Sequence, residues 1–211
     1  ENGRSYGCCA AIGGAGTAIF GLVAVTKGEN GYFINLYNDG VYSDKSSGVK
    51  ISVKANLYKK GEAKIAVKAA GETTLLLRIP EWTNDFAVFV NGEKVVFDSV
   101  KGYALVKVRD SDKVTVSMPM KVERKILNGK AEYERGPIVL ARDERFGEDL
   151  GLPVAVPKKE GGAVAKLVKN TDFYTNETIK IKTRNGEITL CDYSSAGKNY
   201  DSEKCNMAVW N

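Results

Sequence analysis

The chain has 211 residues, with 31 Lys and Arg against 26 Asp and Glu, a net charge of +5 and no histidine. That length suits one large domain or two small ones, and the interspersed charges form no basic block, which argues against a nucleic-acid partner. Without histidine the chain alone holds no Ser-His-Asp triad, no Cys-His protease pair and no histidine zinc site.

The first element is set by Cys8 to Val25, 18 consecutive uncharged residues. The run touches the lower limit for a membrane span, and Arg4 ahead of it mimics a signal peptide. Gly13, Gly14, Gly16, Gly21 and five alanines make it small rather than greasy, so no membrane is expected. Ile12, Ile19, Leu22 and Val23 recur near the helical period, which predicts a helix over 8–25. Each glycine costs about 0.8–1 kcal/mol relative to alanine. Such a helix needs tertiary support, either from its own sandwich or by self-association through residues 8–25. Gly28-Glu29-Asn30-Gly31 ends it.

From there the pattern becomes β. Tyr32–Tyr37 is aromatic and β-branched, and Val49–Lys54 and Ala63–Lys68 alternate strictly. Similar runs occupy Thr74–Ile79, Phe86–Val90, Lys94–Phe97, Tyr103–Val108 and Val114–Met118. Turns at Asn38-Asp39-Gly40, Lys60-Gly61, Asn91-Gly92 and Ser111-Asp112 separate them, as in an all-β sandwich. After Pro119 come Val122–Ile126, Ile138–Ala141, Thr178–Lys182 and Glu187–Leu190, with a long loop expected over 147–162. The expected fold class is therefore mainly β: one helix (1–28), then two antiparallel β-sandwich regions, 29–118 and 119–211.

Cys8-Cys9 is the chemical singularity of the chain. Adjacent cysteines do not readily bridge each other. They can point at one soft metal ion, or one can act as a nucleophile, or both can simply pack at the start of a core helix. The free amides and dipole of a helix N-terminus favour a thiolate there. Two cysteines are half a zinc shell, so the rest would come from Cys191 and Cys205 or from other chain. A Cys191–Cys205 bridge would form only in an oxidising compartment, and the compartment itself is left open. Gly13-Gly14-Ala15-Gly16 lacks the dinucleotide spacing and reads as close helix packing. Trp82 reads as closing a sandwich edge rather than stacking on sugar. Glu132, Glu134, Asp143 and Glu144 read as solvated charges.

Several segments together resemble one family, the β-L-arabinofuranosidase-like glycoside hydrolases. They are Tyr6-Gly7-Cys8-Cys9, Gly31–Tyr37, Leu77–Trp82 with Val90–Glu93, Gly102-Tyr103-Ala104 and Arg135–Leu140. Asp192–Gly197 and Met207–Trp210 resemble the closing strands of that family. The resemblance implies an α/α barrel followed by β-sandwiches, of which this chain would be the C-terminal piece: the last barrel helix and both sandwiches. It further implies that Cys8 is the nucleophile and a zinc ligand, and that Cys9 is a second zinc ligand. The remaining ligands, in a Glu-x-Cys arrangement, and the acid/base glutamate would lie upstream, so zinc would be absent or incomplete in this fragment.

The implied chemistry is retaining hydrolysis of plant-type glycans. Ala10-Ala11-Ile12 depart from the family pattern after the cysteine pair, which leaves the sugar unassigned. Taken alone, the chain is expected to be inactive. The competing readings are a non-catalytic carbohydrate-binding or structural β-sandwich module, and a β domain with zinc on all four cysteines.

Overall fold

The computed structural model describes residues 7–151, 165–169, 172–183, 186–197 and 206–209. Arg4 to Tyr6, most of the loop expected over 147–162, Cys205 and Trp210 lie outside the described residues. The expected class, mainly β behind one long helix, is what the chain adopts. It forms two compact units, Glu1–Pro119 and Met120–Asn211.

In the first unit, helix α1 spans Gly7–Val23. It stops two residues short of the predicted end because Val25 already belongs to a strand. The strands are β1 (Val25–Gly28), β2 (Gly31–Ile34), β3 (Gly40–Asp44), β4 (Val49–Asn56), β5 (Glu62–Lys68) and β6 (Thr73–Arg78). They continue as β7 (Ala87–Val90), β8 (Glu93–Val95), β9 (Asp98–Val100), β10 (Tyr103–Val108) and β11 (Lys113–Ser117). One sheet runs β1-β2-β6-β10-β9 and the other β3-β4-β5-β11-β7-β8. All their pairs are antiparallel except β2 with β6, which is parallel.

The alternation seen in the sequence is the reason for this sandwich. Val49, Ile51 and Val53 of β4, with Ala63, Ile65 and Val67 of β5, point inward. There they meet Ile34, Leu75, Leu77, Ala104 and Val106 of the first sheet. Burying a side chain of this size is worth about 1.5–3 kcal/mol, so this core supplies the main favourable term for the unit. Polar ties join the layers as well. The Tyr32 hydroxyl bonds Asp44 at 2.9 Å and Ser47 at 2.7 Å, and Lys27 pairs with Asp44 at 2.7 Å. Asn91 and Gly92 both take positive φ, 54° and 92°, the left-handed pair a two-residue hairpin requires.

In the second unit the strands are β12 (Val122–Leu127), β13 (Lys130–Arg135), β14 (Ile138–Asp143), β15 (Ala165–Val168), β16 (Thr178–Thr183), β17 (Gly186–Asp192) and β18 (Met207–Ala208). Among the described residues they form one antiparallel sheet, β12-β13-β14-β17-β16-β15, with β18 beside β14. Tyr133, Leu140, Ile179, Ile181 and Leu190 make its main core.

Candidate functional site

Cys8 and Cys9 occupy the first turn of α1, both exposed and both free thiols. Their sulfurs lie 3.8 Å apart. Two sulfurs held by one tetrahedral zinc at about 2.3 Å each are separated by about 3.8 Å, so the pair fits the spacing of two ligands on one ion. Among the described residues no third Asp, Glu or Cys joins them to make a group that could hold a metal. Cys191 is fully buried in the second unit beside Ala141 and Ala196. Burial first, and then the charges of Asp143 and Asp192, push its thiol up to about 12. Cys205, the other partner of a four-cysteine site or of a disulfide, lies outside the described residues.

Every residue of α1 is exposed. A Cβ added at Gly13, Gly14, Gly16 or Gly21 would meet nothing within 4 Å, so the close packing expected of these glycines is not made among the described residues. Only the last turn faces the sandwich. Phe20, Gly21 and Ala24 border a cleft of about 210 Å³ whose other wall includes Val25, Leu36, Val41 and Ile51.

Asn35 fastens this helix end. Its side-chain amide donates to the Val23 carbonyl at 2.8 Å and to Thr26 Oγ1 at 3.2 Å, and its oxygen accepts the Tyr103 hydroxyl at 2.7 Å. The Asn35 backbone amide also donates to the Ala24 carbonyl at 2.9 Å. One side chain thus satisfies a helix C-terminal carbonyl and ties it to β10. Asn35 carries no reactive group that would mark it in the sequence. The available signal was an amide interrupting the apolar run between Ile34 and Leu36.

The remaining candidates resolve as structural. Trp82 is half-buried against the sandwich core. Asp143 is not a solvated charge but fully buried. It accepts the Arg145 guanidinium at 2.9 and 3.0 Å and the Gly197 amide at 2.9 Å. Burial alone would raise its carboxyl, yet these partners hold it below the usual range. Glu144 accepts the Asn206 backbone and side-chain amides, and Glu134 pairs with Lys125. Around Asp192 gather the amides of Asn176 and Glu177 and the hydroxyls of Ser194 and Ser195. Arg135 and Glu177 form a buried pair at 2.7 Å, which sequence patterning hid because both are charged.

Residues 31–120 match the β-L-arabinofuranosidase GH127 middle-domain family. The fold is similar to that of a GH127 β-L-arabinofuranosidase from Geobacillus stearothermophilus T6. The TM-score is 0.76 and the identity 23%, over 96% of this chain and 37% of that one. A GH127 β-arabinofuranosidase gives a TM-score of 0.71 at 19% identity, over 89% of this chain and 35% of that one. A third structure, a glycoside hydrolase, gives 0.71 at 20% identity, over 89% and 36%. At these identities the structural likeness is one of fold. The chain spans little more than a third of the length of each of these proteins. No curated protein matches it in sequence. The resemblance drawn from the sequence segments is borne out by the family match and the shared fold.

Proposed function

We propose that this chain, whose residues 31–120 match the GH127 middle domain, is the C-terminal portion of a retaining glycoside hydrolase that uses Cys8 as its nucleophile. The observation that carries this reading is the thiol pair at the tip of α1, free, exposed and 3.8 Å apart. Cys8 and Cys9 would be two of the ligands of a zinc ion, which when bound would keep their sulfurs deprotonated at neutral pH. In the first step the Cys8 sulfur forms a bond to the anomeric carbon as the bond to the leaving oxygen breaks. An acid/base carboxyl outside this chain gives that oxygen its proton. In the second step water replaces the sulfur, returning its proton to the same carboxylate, so the anomeric configuration is retained. The substrate class is plant-type glycans with arabinofuranosyl or related pentosyl ends.

In this reading the chain supplies two of the ligands and the acid/base lies elsewhere in the parent, so the chain alone is expected to act as a β-sandwich module without turnover. The test is hydrolysis of an aryl arabinofuranoside, read as release of the phenol, by the intact parent, by its Cys8→Ser variant and by this chain alone. The parent should turn over, whereas the variant should keep its fold but lose turnover and bind less zinc. The isolated chain should be silent. A Cys8→Ser parent with near-wild-type turnover overturns the nucleophile.

A further inference from the structure

The outer face of the second sheet of the first unit carries a feature that sandwich stability does not account for. Lys50 lies directly opposite Lys68 across the β4–β5 pair, and Lys54 directly opposite Lys64. All four side chains are exposed, on the face opposite the buried Ile51, Val53, Ile65 and Val67. Like charges at directly opposed positions destabilise a sheet. Lys113 adds a fifth charge to this face from β11, opposite Ala66. None of the five has a carboxylate partner among the described residues.

Three of them, Lys54, Lys64 and Lys113, line an open trough of about 930 Å³ on this face, within the range of ligand sites. Its floor is built of small residues, Ser52, Ala66 and Thr115, with Lys54, Lys64 and Lys113 rising around it. Neither the Ser52 nor the Thr115 hydroxyl has a hydrogen-bond partner among the described residues. The trough crosses β3, β4, β5 and β11, so at about 4.8 Å per strand it is about 14 Å long. Asp39 is the one acid in the lining, and its Oδ1 already accepts the Ala55 amide at 2.7 Å.

We propose that this trough binds a glycan chain bearing carboxylates, a uronic-acid oligosaccharide, and so holds an acidic polysaccharide on the protein. The proposal rests on the glycan-acting reading above. Charge complementarity sets the occupant as an anion. The lining has no aromatic side chain, whereas single-stranded nucleic acid is held by stacking platforms. It also has no arginine, the side chain that grips phosphate in two-point fashion. Lysines act as separated point charges, which suits carboxylates spaced along a sugar chain, and the two floor hydroxyls suit the ring hydroxyls between them.

The test is calorimetric titration of the full 211-residue chain with a galacturonic-acid oligosaccharide, a neutral arabino-oligosaccharide and a single-stranded oligonucleotide. The acidic sugar should bind saturably and more weakly as salt rises, and the neutral sugar should not bind. Lys54→Gln/Lys64→Gln should weaken binding at least tenfold while its thermal midpoint stays level or rises, because the opposed charges are gone. Ala66→Trp, which fills the floor and keeps every lysine, should abolish binding and covers the case in which the lysine variant misfolds. No binding of the acidic sugar, binding untouched by both variants, or tighter binding of the oligonucleotide overturns the proposal. Cys8→Ser should leave this binding unchanged, so failure of the trough and failure of the thiol nucleophile are read separately.

Discussion

Replacing Asn35 with alanine should loosen the helix that carries the thiol pair without touching either sulfur. The substitution removes three side-chain bonds, to Val23 O at 2.8 Å, to Thr26 Oγ1 at 3.2 Å and from Tyr103 at 2.7 Å. The two short bonds are worth about 1 kcal/mol each net and the long one less. Tyr103 is only half-buried, so no full desolvation penalty is added. The expected loss is about 2 kcal/mol, a fall of about 6–10 °C in the midpoint of a unit this size. Tyr103→Phe should cost only about 1 kcal/mol, since its ring keeps the edge-on contact with Phe33 at 5.2 Å. The assays are calorimetric melting and the helical signal in far-ultraviolet circular dichroism. Asn35→Ala should lower both, Tyr103→Phe only the first, and the double variant should cost about 1 kcal/mol less than the sum. An Asn35→Ala chain with unchanged midpoint and helicity would refute the anchoring role.

Two further outcomes are expected in the second unit. Arg135→Met leaves Glu177 buried without its counter-charge, a loss of about 3–5 kcal/mol at neutral pH. The Glu177 carboxyl is already raised, by burial against the pull of Arg135, and removing that pull raises it further. The defect should therefore shrink as pH falls and the carboxyl takes up a proton, and Arg135→Met/Glu177→Leu should recover most of it. Equal loss at pH 7 and pH 5, read by hydrogen exchange in β13 and β16, would sink this. Asp192 runs the other way: despite burial, Ser194, Asn176 and the Glu177 amide hold it below its ordinary 3.8. A lowered carboxyl contributes stability above its unfolded value and loses it as pH falls through the folded one. Asp192→Asn should thus flatten the loss of stability below about pH 4, and a variant as acid-sensitive as the parent chain contradicts the assignment.

Strands with strict alternation were legible because one face is buried and the other wet. In β4 and β5 every second residue is Val, Ile or Ala and the intervening ones are mostly lysine or serine. Other strands break that code. In β13 the inward residues are Ala131, Tyr133 and Arg135, and a charged residue at an inward position erases the period. Val25, the first residue of β1, reads as helix because it continues an uncharged run. The thiol pair was legible from two letters, whereas its 3.8 Å separation and its exposure come only from the folded chain. The Asp143 and Asp192 networks could not be read from spacing. Asp192 is held by Asn176, 16 positions away, and Asp143 by Gly197, 54 positions away.

Helix α1 is fastened at Val23 and carries its thiols at Cys8, about 22 Å along its axis at 1.5 Å per residue. It is therefore a lever with its fulcrum at Asn35, and each degree of tilt there sweeps the sulfurs through about 0.4 Å. Chemistry at a reacting centre tolerates about 0.5 Å of misplacement. The sandwich can set the bearing of the helix, but aiming the sulfurs requires a second hold near the tip. Zinc ligands reaching Cys8 and Cys9 from another part of the parent would serve as that hold, so in the proposed enzyme the metal would be a mechanical clamp as well as a chemical one.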